Sequence, residues 1–486
     1  MDGTLAILSA VFFSGIVSLL LELSLLREFV YVFGSTATSN ALIISVFLVG
    51  LAIGSYVGTW RHLMVSPQQA RDRFWGLQII CILYIVLFYA TKRYFVYRCT
   101  YPQVVTLYFL TTVFLPAFLS GIGYAFIVRI LHERGERLIT WVYGLSTLGS
   151  VIGGIAHGIL LVPLWGMKSA YISAVFFAGL AAFFIGTERF SRKAMSVLIA
   201  LLAIATIAGD PFEKIWATSG LLFSKDSQFG IVEVWQLTEE EARKQHDTIS
   251  FGTGAYSMTE APIDIRINNV HQAYNLPVDR RIHEQWALTS LTIAGRQAKV
   301  LLMGYASGVT AEAYLRSPLL ERLDVVENCD PVIEAGQRFF PTEYVKVTTD
   351  PRTRMIVDDF RGFARFTRER YDVIALDHSL QDPYQIGFFT TEFFGRLKEI
   401  LNDGGVVLLL GGGLSWNTTR LSFRYIYKNV AQGIEPHIQH HCLYLTDQPF
   451  RPEVVADYRL VTDRLIPGGV VYSDEKVWRV AGAANQ

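Results

Sequence analysis

The sequence predicts an α-helical membrane region of about seven helices, followed by an α/β domain with a small β-strand region at its start. Three observations predict it. Of the 486 residues 51% are hydrophobic and only 18% charged, with a mean hydropathy of +0.32, more apolar than a water-soluble chain of this length. The long apolar runs stop near Asp210-Pro211, after which charges recur, as in LTEEEARKQHD. Beyond that point β-rich runs alternate with helical stretches, the pattern of a parallel sheet covered on both faces. These changes divide the chain into a helical region 1–210, a short strand region 211–275 and an α/β domain 276–486.

In the first half, a helix needs about 20 mostly apolar residues to cross the hydrocarbon core. Seven segments meet that test, centred in 4–26, 38–60, 75–92, 103–130, 140–165, 168–187 and 194–209. The first begins MDGTLAILSAVFF, without a basic leader or a small-residue cleavage site, so it is expected to be a retained helix and not a signal peptide. Small residues recur in VGLAIGSYVG and YGLSTLGSVIGGIAHG, a spacing that lets helix backbones approach closely. Three ionisable groups in or beside these runs are site candidates. Glu22 and Arg27 lie in LELSLLREF, where a charge must pair, reach the interface or face a wet cavity, and Glu22 is a candidate cation site. His157 is a candidate proton relay or ligand, or a hydrogen-bonding contact between helices.

In the second half, IVEVWQL and IDIRINNV read as strands, and VLLMG, LDVVE, YDVIALD and VVLLL as apolar strands of a parallel sheet. Ligands bind at the carboxyl ends of such strands. There the sequence places Gly304 and Gly308, then Glu327, then Asp358 and Asp359, then Asp377 and Asp382. Glycine lets a turn come close to a ligand, a strand-end acid suits the paired hydroxyls of a ribose, and a strand-end Asp also caps helices. In this order and spacing they describe an adenosine-binding sheet, though not the G-x-G-x-x-G dinucleotide pattern. Gly404-Gly405 is expected to turn the chain into a late strand. Zero net charge gives no reason to expect nucleic acid as a partner, and the four scattered cysteines form neither a metal knuckle nor a disulfide framework.

From SKDSQFGIVEV through NNVHQAYNLPVDRRIHEQWAL, VLLMGYASG, VVENCDPVIEAGQRFFP, MIVDDFRGF and YDVIALDHSLQDP to FFTTEFFGRLKEILNDGGV, residues 224–415 resemble the spermidine synthases. The helical half resembles the membrane regions fused to such domains in some bacterial proteins. The resemblance implies a Rossmann-like spermidine synthase-type (methyltransferase-like) domain in a multi-pass protein of the bacterial inner membrane. The donor it implies is decarboxylated S-adenosylmethionine, the acceptor a small-molecule amine, and no metal is expected. Gly304, Ser307 and Gly308 would line the donor, Glu327 would hold its ribose and Asp359 its adenine. Gln272 and His283 would close over donor and acceptor, Asp377 would orient or deprotonate the amine, and Asp382 would bind the acceptor. Besides the lipid bilayer, a second copy of the chain or another membrane protein is an expected partner.

The sequence departs from the family at its motifs. Ser307 stands where the family has an aspartate for the donor's propylamine, Ile282 replaces a tyrosine, Gly230 replaces a glutamine, and the interval from Asp377 to Asp382 is two residues longer. Three readings follow: an aminopropyltransferase, a domain that binds a nucleoside or amine without turnover as a scaffold or sensor, and a methyltransferase using S-adenosylmethionine. Lys and Arg in the loops, nine against six, place the amino terminus inside and the α/β domain outside. A donor made in the cytoplasm favours the opposite side.

Overall fold

The computed structural model describes residues 3–33, 37–60, 66–97, 99, 101–132, 136–186, 190–211, 220–227, 229–249, 260–268, 270–377, 390–410, 416–429, 442–450 and 458–460. They fall in two compact units, one within Met1–Phe33 and Thr38–Ser219, the other within Gly220–Gln486.

The first unit is all helix: α1 Gly3–Phe33, α2 Ala37–Gly58, α3 Pro67–Tyr97, α4 Pro102–His132, α5 Glu136–Ile155, a π-helical turn Ala156–Leu161, α6 Val162–Ile185 and α7 Phe190–Gly209. Among the described residues six stretches are long and apolar enough to cross a membrane. The fifth, Arg137–Ile185, runs 49 residues, about 74 Å of helix against a hydrocarbon core of about 30 Å. Gly166 breaks it, with φ 74° and ψ 177°, a conformation that only glycine adopts without strain. Among the described residues the unit thus has seven α-helical elements but six stretches that meet the length and apolarity test, where the sequence predicts about seven. Among the described residues most of the large apolar side chains left exposed lie on these helices, a distribution compatible with a membrane-spanning region.

The small-residue motifs pack as their spacing suggests. A Cβ on Gly54 of α2 would stand 2.0 Å from the Phe118 carbonyl oxygen of α4, and one on Gly149 of α5 would stand 2.2 Å from that of Phe12 in α1. Two pairs of helices therefore touch backbone to backbone.

The second unit opens with an antiparallel sheet, β1 Leu221–Ser227, β2 Gly230–Gln236, β3 Ile263–Ile267 and β4 Val270–Tyr274, in that order, with α8 Glu239–Ile249 between β2 and β3. Helix α9 Pro277–Ala294 then leads into β5 Ala298–Met303, α10 Val309–Leu315, β6 Leu320–Glu327, α11 Asp330–Phe339, α12 Pro341–Thr349 and β7 Thr353–Val357. After these come α13 Phe360–Phe366, β8 Tyr371–Leu376, α14 Thr391–Glu399, β9 Leu401–Leu410, α15 Trp416–Ser422, β10 Tyr425–Asn429, β11 Cys442–Thr446 and β12 Tyr458–Leu460.

The eight-stranded sheet runs β12-β10-β11-β9-β8-β5-β6-β7, parallel from β9 to β7 and antiparallel beyond β9. Alternate residues of each central strand enter different cores. Val300, Leu302, Val373 and Ala375 pack with α9 and α10, while Leu301, Met303, Ile374 and Leu376 pack with α13 and α14. Gly404 and Gly405 lie inside β9 and not in a turn before it, a correction to the sequence expectation. Gly404 takes φ 74°, which a strand of ordinary residues would not show.

Candidate active site

Strand β5 pairs with β6 on one side and β8 on the other. From β5 the chain winds outward to β7, then returns to start again at β8, so the carboxyl ends of β5 and β8 flank the sheet's switch point. The residues that follow these two ends are Gly304 and Asp377. They touch: a Cβ on Gly304, at φ 107°, would stand 2.3 Å from the Asp377 carbonyl oxygen, so no other residue fits there.

The turn after β5 is tight. Ala306 takes φ 44°, and Gly308, at φ 79°, precedes α10. Tyr305 is buried at 1% exposure, its ring filling the space beside Gly308 and Gly336, where a Cβ would approach it to 2.6 Å. Ser307 is buried and neutral at the tip. Glu327, at the end of β6, holds this turn in place: its carboxylate accepts the Tyr305 N–H at 2.8 Å and the Cys329 N–H at 2.9 Å. Burial pushes the Glu327 carboxyl up to about 7, against the pull of these backbone donors. With the Asn328 N–H as a third backbone donor, the carboxylate keeps capacity for one further donor, such as a ribose hydroxyl.

Asp377 is buried beside two other side chains. Its Oδ2 accepts the Thr310 hydroxyl at 2.5 Å, and its Oδ1 lies 3.5 Å from His283 Nδ1. The same imidazole nitrogen is 2.9 Å from Thr310 Oγ1, while Nε2 lies 3.8 Å from Asp279 Oδ1. Burial disfavours the charged ring, but Asp377 and then Asp279 outweigh it and hold the His283 pKa up to about 9. At neutral pH the site therefore contains an imidazolium between two acids.

Thr310 and Asp279 were missed in the sequence reading. Asp279 left a signal, since it sits four residues before His283 on α9 and so on the same helix face. Thr310 left none, because its contact crosses from α10 to β8.

The other sequence candidates are placed as follows. Asp359 caps α13, accepting the Gly362 N–H at 2.8 Å. Gln272 is half-buried on β4, its amide donating to the Val270 carbonyl at 3.2 Å. Asp382 lies outside the described residues. Gly230, where the resembled family has a glutamine, takes φ 151° and would drive a Cβ to 2.3 Å from the Asn268 side chain, so Asn268 occupies that space instead. Ile282 is buried in the core. Among the described residues no three His, Cys, Asp or Glu side chains are placed to hold a metal ion.

In the helical unit, Glu22 and Arg27 are half-buried on α1. The more deeply buried acids are neighbours that the sequence reading passed over as site candidates. Glu28 pairs with Lys92 and accepts the Tyr171 hydroxyl at 3.0 Å. Asp210 accepts the Tyr89 hydroxyl at 2.8 Å and pairs with Arg93 at 3.1 Å. His157 is buried on the π-helical turn, its Nε2 without a hydrogen-bond partner among the described residues.

Residues 281–445 match the family described as Spermine/spermidine synthase domain. The chain is 29% identical over 157 residues to a polyamine aminopropyltransferase of Korarchaeum cryptofilum, covering 32% of this chain and 47% of that protein. To polyamine aminopropyltransferase 2 of Streptomyces coelicolor it is 24% identical over 444 residues, covering 84% of this chain and 74% of the relative. Several of the other matches, like the first, span about half the length of the relative. The crystal structure of spermidine synthase from Thermotoga maritima aligns with a TM-score of 0.38 and 15% identity, over 53% of this chain and 82% of that one. The carboxy-terminal half is therefore similar in sequence to spermidine synthase domains over residues 281–445.

Proposed function

We propose that the α/β domain transfers an aminopropyl group from decarboxylated S-adenosylmethionine to an amine, on a chain anchored in a membrane by its helical unit. The observation that carries this is Asp377, a buried carboxylate at the end of β8, against the Gly304–Gly308 turn and within a matched synthase domain.

The amine nitrogen attacks the propyl carbon next to the sulfonium. The new C–N bond forms as the C–S bond breaks, the electron pair goes to sulfur, and neutral methylthioadenosine leaves. The amine must be unprotonated to attack, and Asp377 takes its proton. Thr310 donates to one oxygen of Asp377 and His283 lies beside the other, so the two hold the carboxylate in position. Glu327 holds the ribose and the turn together. Asp359 has one oxygen on its helix and meets the adenine with what remains.

Ser307 favours a second reading. A neutral, buried residue at the turn offers no charge to the donor's propylamine, which suits methyl transfer from S-adenosylmethionine. Titration of the full-length protein with both donors and methylthioadenosine separates the readings. Micromolar binding of the decarboxylated donor, weakened in Asp359→Ser (which keeps the helix cap), is expected. Preference for S-adenosylmethionine transfers the assignment to methyl transfer, and binding of none of the three refutes both.

A further inference from the structure

The helical unit holds a partly open cavity of about 300 Å³ between α1, α2, α3, α4 and α5. Its lining includes Ser14, Ser18, Ser55, Gln78, Ser120 and Ser146. Ser14 and Ser18 sit near the middle of the apolar stretch Gly3–Phe29, Gln78 near that of Pro67–Val96 and Ser120 near that of Gln103–His132. Polar groups at this depth in a membrane protein face a partner helix or a wet cavity. Here they converge.

The walls are fixed. The glycine contacts lock α1 to α5 and α2 to α4, and the cavity lies among these pairs and α3. Pro116 in α4 has no N–H to give, which frees the Thr112 carbonyl four residues earlier. Tyr84 of α3, itself a lining residue, donates its hydroxyl to that carbonyl and so braces the proline site across the cavity. Gln78 is buried and its amide reaches no nearer than 3.5 Å to Ser14 Oγ, a weak contact that leaves it capacity for a ligand.

No described lining residue is a carboxylate, lysine, arginine or histidine, and Glu22 is not among them. Taking an ion into such a place without a counter-charge carries an uncompensated desolvation cost, which disfavours a polyamine. Hydroxyls and an amide both donate and accept, so they match an uncharged solute. The volume has room for about ten waters and stands at the lower end of the range for small-molecule sites.

We propose that this cavity is a binding site for a small uncharged, hydrogen-bonding solute, separate from the transferase site and independent of its assignment. Cys81 lines it and serves as a native reporter. The full-length protein in nanodiscs is treated with uncharged hydroxyethyl methanethiosulfonate or with its trimethylammonium counterpart. Modification at Cys81 is followed peptide by peptide, with rates normalised to a free thiol. The uncharged reagent is expected to react at least about tenfold faster, as the desolvation cost of the cation requires. Filling the cavity from either of two helices, by Ser14→Leu or Ser120→Leu, is expected to slow it by a similar factor. Equal or faster reaction of the cation overturns the proposal, as does reaction that neither filling variant slows, which would mean access from lipid. Failure of both reagents to reach Cys81 overturns it too, and the comparison of reagents on the unaltered chain stands even where a variant does not fold.

Discussion

Asp377 is positioned by side chains from two helices, and the consequences can be read one substitution at a time. Asp377→Asn keeps the shape but cannot take a proton, so turnover is expected to fall by about 10²–10⁴, while donor affinity changes little in a titration. Ser307→Asp restores a charge at the turn tip. A charge-assisted bond of about 1.5–3 kcal/mol is expected to tighten the decarboxylated donor by about tenfold or more and to leave methylthioadenosine, which lacks the amine, unimproved. Glu327 ionises at about 7 in the fold, so ribose binding is expected to strengthen as pH rises through that value. Its raised pKa works against stability in the same direction, because the folded state holds the proton more tightly from 4.5 up to about 7. His283 has the same sign at higher pH. Its contribution is complete below 6.5 and lost as pH rises through about 9, and His283→Gln is expected to flatten that part of a thermal stability profile. The strand-end residues behind most of these predictions were legible because a parallel sheet places every ligand at the same edge. The contacts of His283 with Asp377 and of Thr310 with Asp377 were not, since each joins elements that only folding brings together.

Among the elements, the glycine-lined helices are the most exposed to test. Gly54→Leu forces a side chain into the Phe118 backbone, where a Cβ already stands at 2.0 Å. The expected loss is about 1–3 kcal/mol or more, read as a lower thermal midpoint and poorer recovery of folded protein in detergent, with Gly76→Leu, whose Cβ meets nothing within 4 Å, as the benign control. Helix existence was legible here because length and apolarity are properties of one segment at a time. The break at Gly166 inside the 49-residue stretch was anticipated only as a gap between two apolar runs, since a backbone angle has no compositional mark. Gly404-Gly405 failed as a turn signal for a related reason: a glycine pair also serves a strand at a register shift, and β8–β9 pairing is irregular over that stretch. The buried acids Glu28 and Asp210 sit at the ends of apolar runs, where sequence alone cannot separate an interfacial charge from an interior pair.

For the whole molecule, a helical unit and an α/β unit share one chain, and a relative from Streptomyces coelicolor aligns across most of its length. The proposed donor, made in the cytoplasm, favours the α/β domain on that side, against the loop-charge count. Protease treatment of sealed, inside-out vesicles is expected to remove that domain, whereas protection would support the charge count. The central claim is the chemistry of that domain, and it is tested most directly by product analysis. Full-length protein is incubated with decarboxylated S-adenosylmethionine and a panel of diamines, and the products are identified by mass spectrometry. Formation of methylthioadenosine together with an amine heavier by one aminopropyl group in equal amount, both lost in Asp377→Asn, is the predicted result. S-adenosylhomocysteine formed from S-adenosylmethionine, or donor bound without any product, would contradict the account.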